Sequence, residues 1–236
     1  MTKLIILYSW IAGITVFIGG IIAYFFNKKF PEKSTTKTEI THTMMSFGAG
    51  IILSAVALVL VPEGMEKLSL VPMIVTFLSG AVVFMFLDQY LSKKGGKLAT
   101  LLAMMLDFIP EAIALGAVFA TDMRMATLLA LFIGVQNLPE SFNAYRDLVA
   151  GDFSPKKTLM SFFILSFFGV FSALIGYFLL SDSPNLTAHL MIFSSGGILY
   201  LLIQDIIPES QMKKNHFISL GATLGFLVGL IGDKVI

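Results

Sequence analysis

The stretch Leu106-Asp-Phe-Ile-Pro-Glu-Ala112 lies in the middle of an apolar run that extends from 98 to 120. The same pattern, a polar residue one helical turn before a Pro-Glu glutamate, recurs in Gln136-Asn-Leu-Pro-Glu140 and Asp205-Ile-Ile-Pro-Glu209. Each pattern would place two oxygen-bearing side chains on one helix face, roughly 6 Å apart along the axis. Its proline would add a kink and a free backbone carbonyl. Since a carboxylate at the centre of a membrane helix costs about 2.5–3.5 kcal/mol, the pattern indicates a function, and we interpret it as a cation path.

The composition is that of an integral membrane protein. Of the 236 residues 56% are hydrophobic and 13% are charged, and the mean hydropathy is +0.87, outside the range of soluble domains. The net charge of +1 argues against nucleic acid as a partner. Because the chain has no cysteine, a metal site would have to be built from oxygen and nitrogen ligands.

Apolar runs long enough to cross a bilayer predict an all-α protein with eight transmembrane helices. These runs are 4–26, 41–61, 70–91, 98–120, 126–148, 158–180, 187–208 and 216–234. The connections between them are too short to hold another domain, so residues 1–236 are predicted to form a single transmembrane transporter domain.

Basic residues are distributed asymmetrically over the predicted loops. The loops after the first, third, fifth and seventh helices contain twelve Lys and Arg residues, against four at the opposite ends. By the positive-inside rule, both termini face outward. We expect a multi-pass protein of the plasma membrane in contact with the lipid bilayer.

The second and seventh helices resemble each other. Gly50-Ile-Ile-Leu followed by Pro62-Glu63 matches Gly197-Ile-Leu-Tyr followed by Pro208-Glu209, with the spacing shifted by one residue. The charge rule gives these two helices opposite directions, which is the pattern of an inverted repeat. The prediction is a 3+2+3 arrangement, with helices one to three repeated by helices six to eight around a central pair.

The central pair of helices would bring carboxylates together near the middle of the membrane. The fourth and fifth helices supply Asp107, Glu111, Gln136 and Glu140, with Asn137 one step around the helix. No Lys or Arg lies at comparable depth to neutralise these groups, which favours a cation.

Further polar residues could continue this site into a pathway. They are Asn143 and Asp147 on the fifth helix, Asp88 on the third, Asp205 and Glu209 on the seventh, and Glu63 on the second. For Glu63, Asp147 and Glu209, each near a predicted membrane boundary, interfacial solvation explains the charge equally well.

Three of these motifs resemble the ZIP family of divalent-metal transporters, in its bacterial form. They are Ile109-Pro-Glu-Ala-Ile-Ala-Leu-Gly116, Gln136-Asn-Leu-Pro-Glu140 and Asp205-Ile-Ile-Pro-Glu-Ser210, and the likeness spans all eight predicted helices. The resemblance implies a metal site between the fourth and fifth helices and transport of zinc, iron or manganese into the cytoplasm. It implies metal-ligand roles for Glu111, Gln136, Asn137 and Glu140, with the divalent ion as substrate and no cofactor.

The sequence departs from the family pattern at two places. The family usually has His-Asn where this chain has Asp107 and Phe108, and the sixth helix lacks the usual Glu-Pro pair. We therefore expect one metal ion at the site. Loss of the imidazole makes the site harder, so the hypothesis is a preference for manganese or ferrous iron relative to zinc.

Two other functions remain open at this point. The same carboxylates would serve a proton-coupled carrier of a small organic cation. Asp107 and Asp205 could also form the dyad of an intramembrane aspartyl protease, although no Gly-x-Gly-Asp motif occurs. We expect a transporter and not an enzyme, and its oligomeric state is open, with a homodimer as one form.

Overall fold

A computed structural model describes residues 1–31, 34–212 and 215–236, without the side chains of residues 97 and 98. Lys33, Lys213 and Lys214, which contribute to the charge asymmetry, lie outside the described residues. Regular secondary structure in the described ranges is entirely helical, which confirms the all-α prediction. The α-helices are α1 (Thr2–Lys29), α2 (Thr35–Ala55), α3 (Val61–Lys67), α4 (Leu70–Lys94), α5 (Gly96–Val118), α6 (Met123–Ala150), α7 (Pro155–Leu165), α8 (Phe168–Leu180), α9 (Pro184–Leu201), α10 (Ile207–Ser210) and α11 (His216–Val235).

Seven helical stretches in the described residues are long and apolar enough to cross a membrane. They are Thr2–Lys29, Thr35–Lys67, Leu70–Lys94, Ala99–Val118, Pro155–Leu180, Pro184–Ser210 and His216–Val235. Helix α6 also has 28 residues, but the polar residues Gln136, Asn137, Glu140 and Asn143 lower its hydropathy. The chain is therefore a multi-pass membrane protein.

Local sequence explains where several helices begin. Ser34 accepts a hydrogen bond from the backbone N–H of Lys37, and Asp122 accepts one from Met125 over 2.9 Å. These side chains satisfy backbone donors that have no partner within the helix. Pro155 and Pro184 occupy the first helical position, where the missing N–H of proline costs nothing.

Four helix pairs form the main interfaces of the bundle: α1 with α6, α2 with α11, α4 with α9, and α5 with α8. Helices α5 and α6 also pack against each other at the centre, and α2 packs against α6 as α9 packs against α5. The polar motifs of the fourth and fifth predicted helices consequently lie inside the bundle.

Two of these interfaces are built from the same glycine contacts. In each contact a Cβ added to the glycine would overlap a backbone carbonyl oxygen of the facing helix. The pairs are Gly50 with Ala222 and Gly225 with Phe47 between α2 and α11, and Gly196 with Phe77 and Gly80 with Phe193 between α4 and α9. Every residue of the second interface stands 145 or 146 positions from its counterpart in the first.

A π-helical turn precedes two of the Pro-Glu pairs. Val56–Leu60 links α2 to α3 directly before Val61-Pro62-Glu63, and Leu202–Ile206 links α9 to α10 directly before Ile207-Pro208-Glu209. Proline has no N–H to offer the preceding turn, and a π-helical turn accommodates that loss within a continuous helix. The two turns are 146 positions apart, the same offset as Gly50 and Gly196.

Substituting Gly50 with alanine is expected to destabilise the protein by about 1–3 kcal/mol, because the new methyl group overlaps the Ala222 carbonyl. Gly134→Ala is the matched control, since its Cβ would meet its nearest atom, Cα of Ala12, at 3.6 Å, an ordinary contact. Thermal unfolding of both variants in detergent measures the difference. Equal melting temperatures would contradict the close packing of α2 on α11.

Candidate cation site

A cavity of about 190 Å³ lies between α2, α5, α6 and the α9–α10 region. Its apolar wall comes mainly from α2, with Gly48, Ala49 and Ile52. Its polar wall consists of Thr100, Asp107, Gln136, Glu140, Asn143, Asp147, Asp205 and Glu209. One cavity therefore collects most of the polar residues that the sequence singled out.

Helix α5 presents one face to the cavity. Thr100, Ala103, Met104 and Asp107 line it at the i, i+3, i+4, i+7 spacing of a single helix face. Asp107 is buried, and its Oδ1 accepts a hydrogen bond of 2.9 Å from the backbone N–H of Phe108. Thr100 and Met104 line the cavity but belong to none of the sequence motifs. Their positions seven and three residues before Asp107 on one helix face would have indicated them.

Glu111 lies one turn beyond Asp107 and is 2% exposed. Gln136, 1% exposed, donates a hydrogen bond from Nε2 to Glu111 Oε2 and so joins α5 to α6. Gln136 lines the cavity, whereas Glu111 is not among the described lining residues. Oxygen Oε1 of each side chain is buried with no hydrogen-bond partner. Unpaired buried acceptors of this kind are unusual and call for a ligand.

Helix α6 continues the polar wall from Gln136 through Glu140, Asn143 and Asp147. These residues pass from buried Gln136 through half-buried Glu140 and Asn143 to exposed Asp147 near the end of the helix. Asn143 Oδ1 is a further buried oxygen with no partner. The polar stripe on α6 thus runs from the protein interior to the mouth of the cavity.

Asn137 is turned away from this stripe. Its side chain is buried and donates a hydrogen bond of 3.1 Å from Nδ2 to the carbonyl oxygen of Ala12 on α1. Phe108 is also buried, with its ring against the backbone of Gly169 on α8 and near Gly13 on α1. The position adjoining Asp107 is therefore filled by an aromatic ring that Gly169 leaves room for, and Asn137 serves the contact between α1 and α6.

The remaining acidic residues lie at two separate places. Asp88 on α4 accepts a hydrogen bond of 3.3 Å from the hydroxyl group of Tyr200 and lies close to Asp205. Asp205 and Glu209 line the cavity, whereas Asp88 stands behind Asp205 on α4. Glu63 pairs with Lys67 within α3, in a different part of the bundle.

The cavity has polar residues toward one end of α5 and α6 and an apolar cluster toward the other. Thr100 near the start of α5 and Asp147 near the end of α6 mark the mouth. Beyond Glu111 the space between the helices is filled by a buried apolar cluster that includes Val59, Leu60, Leu115, Val118, Leu129 and Phe132. This apolar cluster separates the polar wall from the opposite end of the bundle.

The available ligands are mainly oxygen atoms. Among the described residues His42 is bonded to the Ser210 carbonyl and His189 to Thr76, so neither faces the cavity. Within the same residues no three His, Asp or Glu side chains are close enough together to hold a metal ion. Full coordination of a cation between Asp107, Glu111 and Glu140 would therefore require side-chain rearrangement.

No known family model matches this chain, and no curated protein matches it at a significant level. The assignment of function therefore depends on the fold, the cavity and the sequence motifs.

The absence of native cysteines allows the cavity to be mapped with single cysteine variants. We expect Thr100→Cys to react with a polar thiol reagent at least roughly tenfold faster than Leu115→Cys, since local opening is needed to expose the latter. Both positions lie on α5, Thr100 at the mouth and Leu115 in the apolar cluster. Labelling rates followed by mass spectrometry provide the measurement, and equal rates would contradict a cavity closed at one end.

Proposed function

We propose that this chain is a secondary transporter of divalent metal cations, a member of the ZIP family, that carries its substrate into the cytoplasm. The observation that carries the proposal is the pair Glu111 and Gln136, buried between α5 and α6 with two oxygen atoms lacking partners. Asp107 and Glu140 line the adjoining cavity. A divalent ion is the ligand that this charge and these oxygen atoms fit.

Among the described residues, the acidic side chains of the site have no basic partner. Among the described residues the two ion pairs are Glu63 with Lys67 and Arg124 with Asp233, both far from the cavity. Asp107, Glu111 and Glu140 therefore have no basic partner there. Unpaired buried charges are costly, whereas a cation with charge +2 would offset two of them and receive the unpaired oxygen atoms as ligands.

The proposed topology has eight spans in a 3+2+3 inverted repeat, with both termini outside. The helix pairs support this arrangement. The repeat relates α1 to α7–α8, α2–α3 to α9–α10, α4 to α11, and α5 to α6. Under this exchange the pair α1 with α6 becomes α8 with α5, and the pair α2 with α11 becomes α9 with α4. The repeated glycine contacts are offset by 145 or 146 positions and the π-helical turns by 146. When Gly50 is aligned with Gly196 and not with Gly197, the distance to the following proline is the same in both helices, and the one-residue shift disappears.

In this topology α6 is the fifth span and is added to the seven apolar stretches; a polar stripe that lines the cavity makes it less hydrophobic. The described lysines Lys28, Lys29, Lys93, Lys94, Lys156 and Lys157 are at helix ends on the side of the mouth. By the positive-inside rule this side is cytoplasmic, so the cavity belongs to an inward-open conformation. Transport would then require a second conformation that opens the apolar end.

The substrate proposed here is a single ion of the manganese and ferrous iron type. Compared with a site that contains imidazole, a site of carboxylate and amide oxygens shifts the preference from zinc toward such ions. Asn137 is committed to Ala12, and Phe108 fills the neighbouring space, so we propose Asp107, Glu111, Gln136 and Glu140 as the ligands of one ion.

Glu111→Ala and Glu140→Ala are each expected to reduce uptake to below roughly a tenth of the wild-type rate, because each removes a charged ligand. Their stability in detergent should be unchanged or higher, since each also removes a buried charge. Flux of manganese, ferrous iron, zinc and cadmium into proteoliposomes measures transport. Glu66→Ala is the matched control, because the exposed Glu66 lies on α3 outside the cavity.

Loss of flux in the Glu66 variant, or misfolding of both cavity variants, would contradict the proposal and favour a structural network. Absence of flux with every metal, together with uptake of a small organic cation, would favour the carrier alternative. Cleavage of a membrane peptide that depends on Asp107 and Asp205 would favour the protease.

Asp107→His is expected to lower the ratio of manganese to zinc transport, because imidazole is a better ligand for zinc than for manganese. The ratio is measured by competition between the two ions in one proteoliposome preparation. Asp107→Asn serves as the control, since it removes the charge without adding a nitrogen ligand of the imidazole type. A ratio identical to that of the wild type in the histidine variant would exclude Asp107 from the ligand set.

A further inference from the structure

We infer that the Gln136 amide is a cover over Glu111, which an entering divalent cation has to turn before it reaches this deepest carboxylate. The inference rests on the proposed function and adds a role for one residue, selection by charge at the inner end of the cavity. An ion that enters from the mouth would meet Gln136 first and Glu111 second.

The two side chains differ in their access to the cavity. Gln136 lines the cavity and Glu111 does not, although the two side chains are hydrogen-bonded to each other. Behind Glu111 lies the apolar cluster around Leu115 and Phe132. A cation that enters at the mouth therefore meets the Gln136 amide before the Glu111 carboxylate.

The hydrogen bonding of this pair is incomplete. The Gln136 nitrogen is bonded to Glu111, but one oxygen on each side chain is buried without a partner. A buried acceptor without a partner keeps its desolvation penalty. Rotation of the amide by half a turn exchanges its nitrogen for its oxygen, so both side chains would then present acceptors toward the same point. A cation at that point would bind Glu111 Oε2 together with Gln136 Oε1, which has no hydrogen-bond partner before the turn.

Such a cover would distinguish divalent from monovalent ions. An ion that turns the amide must replace the hydrogen bond between Gln136 and Glu111, and it gains the attraction of Glu111 in return. The hydrogen bond to be replaced is the same for both ions, whereas the attraction of Glu111, which offsets that loss and the ion's dehydration, is about twice as large for a divalent ion. The cover therefore favours Mn²⁺ over Na⁺ at the deep carboxylate.

The test exchanges the two side chains in the double variant Glu111→Gln/Gln136→Glu. This variant keeps the atoms, the net charge and an amide-carboxylate hydrogen bond between α5 and α6, but it places the carboxylate on the cavity wall and the amide behind it. We expect Mn²⁺ to bind roughly tenfold more tightly, because the exchanged carboxylate lines the cavity directly with Asp107 and Glu140 and no amide has to turn first. We also expect Na⁺ to compete with Mn²⁺ in this variant and not in the wild type, and uptake to be lost because no deep carboxylate remains.

Titration calorimetry with Mn²⁺, with and without Na⁺, and Mn²⁺ flux into proteoliposomes provide the readouts. Wild-type affinity with no Na⁺ competition in the exchanged variant would overturn the role of Gln136 as a cover. If the exchanged variant does not fold, Gln136→Ala takes its place, and it too should make Mn²⁺ binding sensitive to Na⁺. Insensitivity of that variant would equally overturn the inference, whereas absence of Mn²⁺ binding and flux in the wild type would overturn the proposed function itself.

Discussion

The hydrogen bond between Gln136 and Glu111 joins α5 to α6 at the inner end of the polar wall, next to a buried apolar cluster, and the surrounding structure has to make this burial tolerable. An acidic group in such surroundings needs hydrogen-bond donors, a proton or a cation. Gln136 supplies one donor, and among the described residues no basic side chain approaches it. The unsatisfied oxygen atoms that remain are a cost in stability, and the proposed transport of a cation gives that cost a physical reason.

Close packing of the outer helices holds the two central helices in place. Glycines allow α2 to approach α11 and α4 to approach α9 until backbone touches backbone, and the same contacts occur twice, 145 or 146 positions apart along the chain. In a lipid environment such packing is a main source of helix association, because the hydrophobic effect no longer separates helix from solvent. The π-helical turns before Pro62 and Pro208 belong to the same repeated units. We interpret this duplication as the scaffold of the proposed inverted repeat.

The closed end of the cavity and the arrangement of Glu111 behind Gln136 describe one state of the proposed cycle. Asp147 and Glu140 line the cavity on the side of its mouth, and a buried apolar cluster fills the other end. The conversion to an outward-open state would have to separate that cluster while the helix pairs with glycine contacts move as units. Such rigid-body movement is the usual behaviour of transporters built from inverted repeats.

The membrane character, the helices and the acidic candidates of the central pair were predictable, because hydropathy and spacing of four along a helix are properties of the local sequence. How each side chain is used depended on neighbours far away in the chain. Asn137 belongs to the same motif as Gln136, yet it contacts Ala12 on α1, and Glu63 repeats the motif of Glu209, yet it pairs with Lys67. The sequence alone therefore determined which residues are candidates for the site. The packing of α1, α5 and α6 decided which of them share a cavity, because helix rotation and partner choice are set by contacts between distant segments.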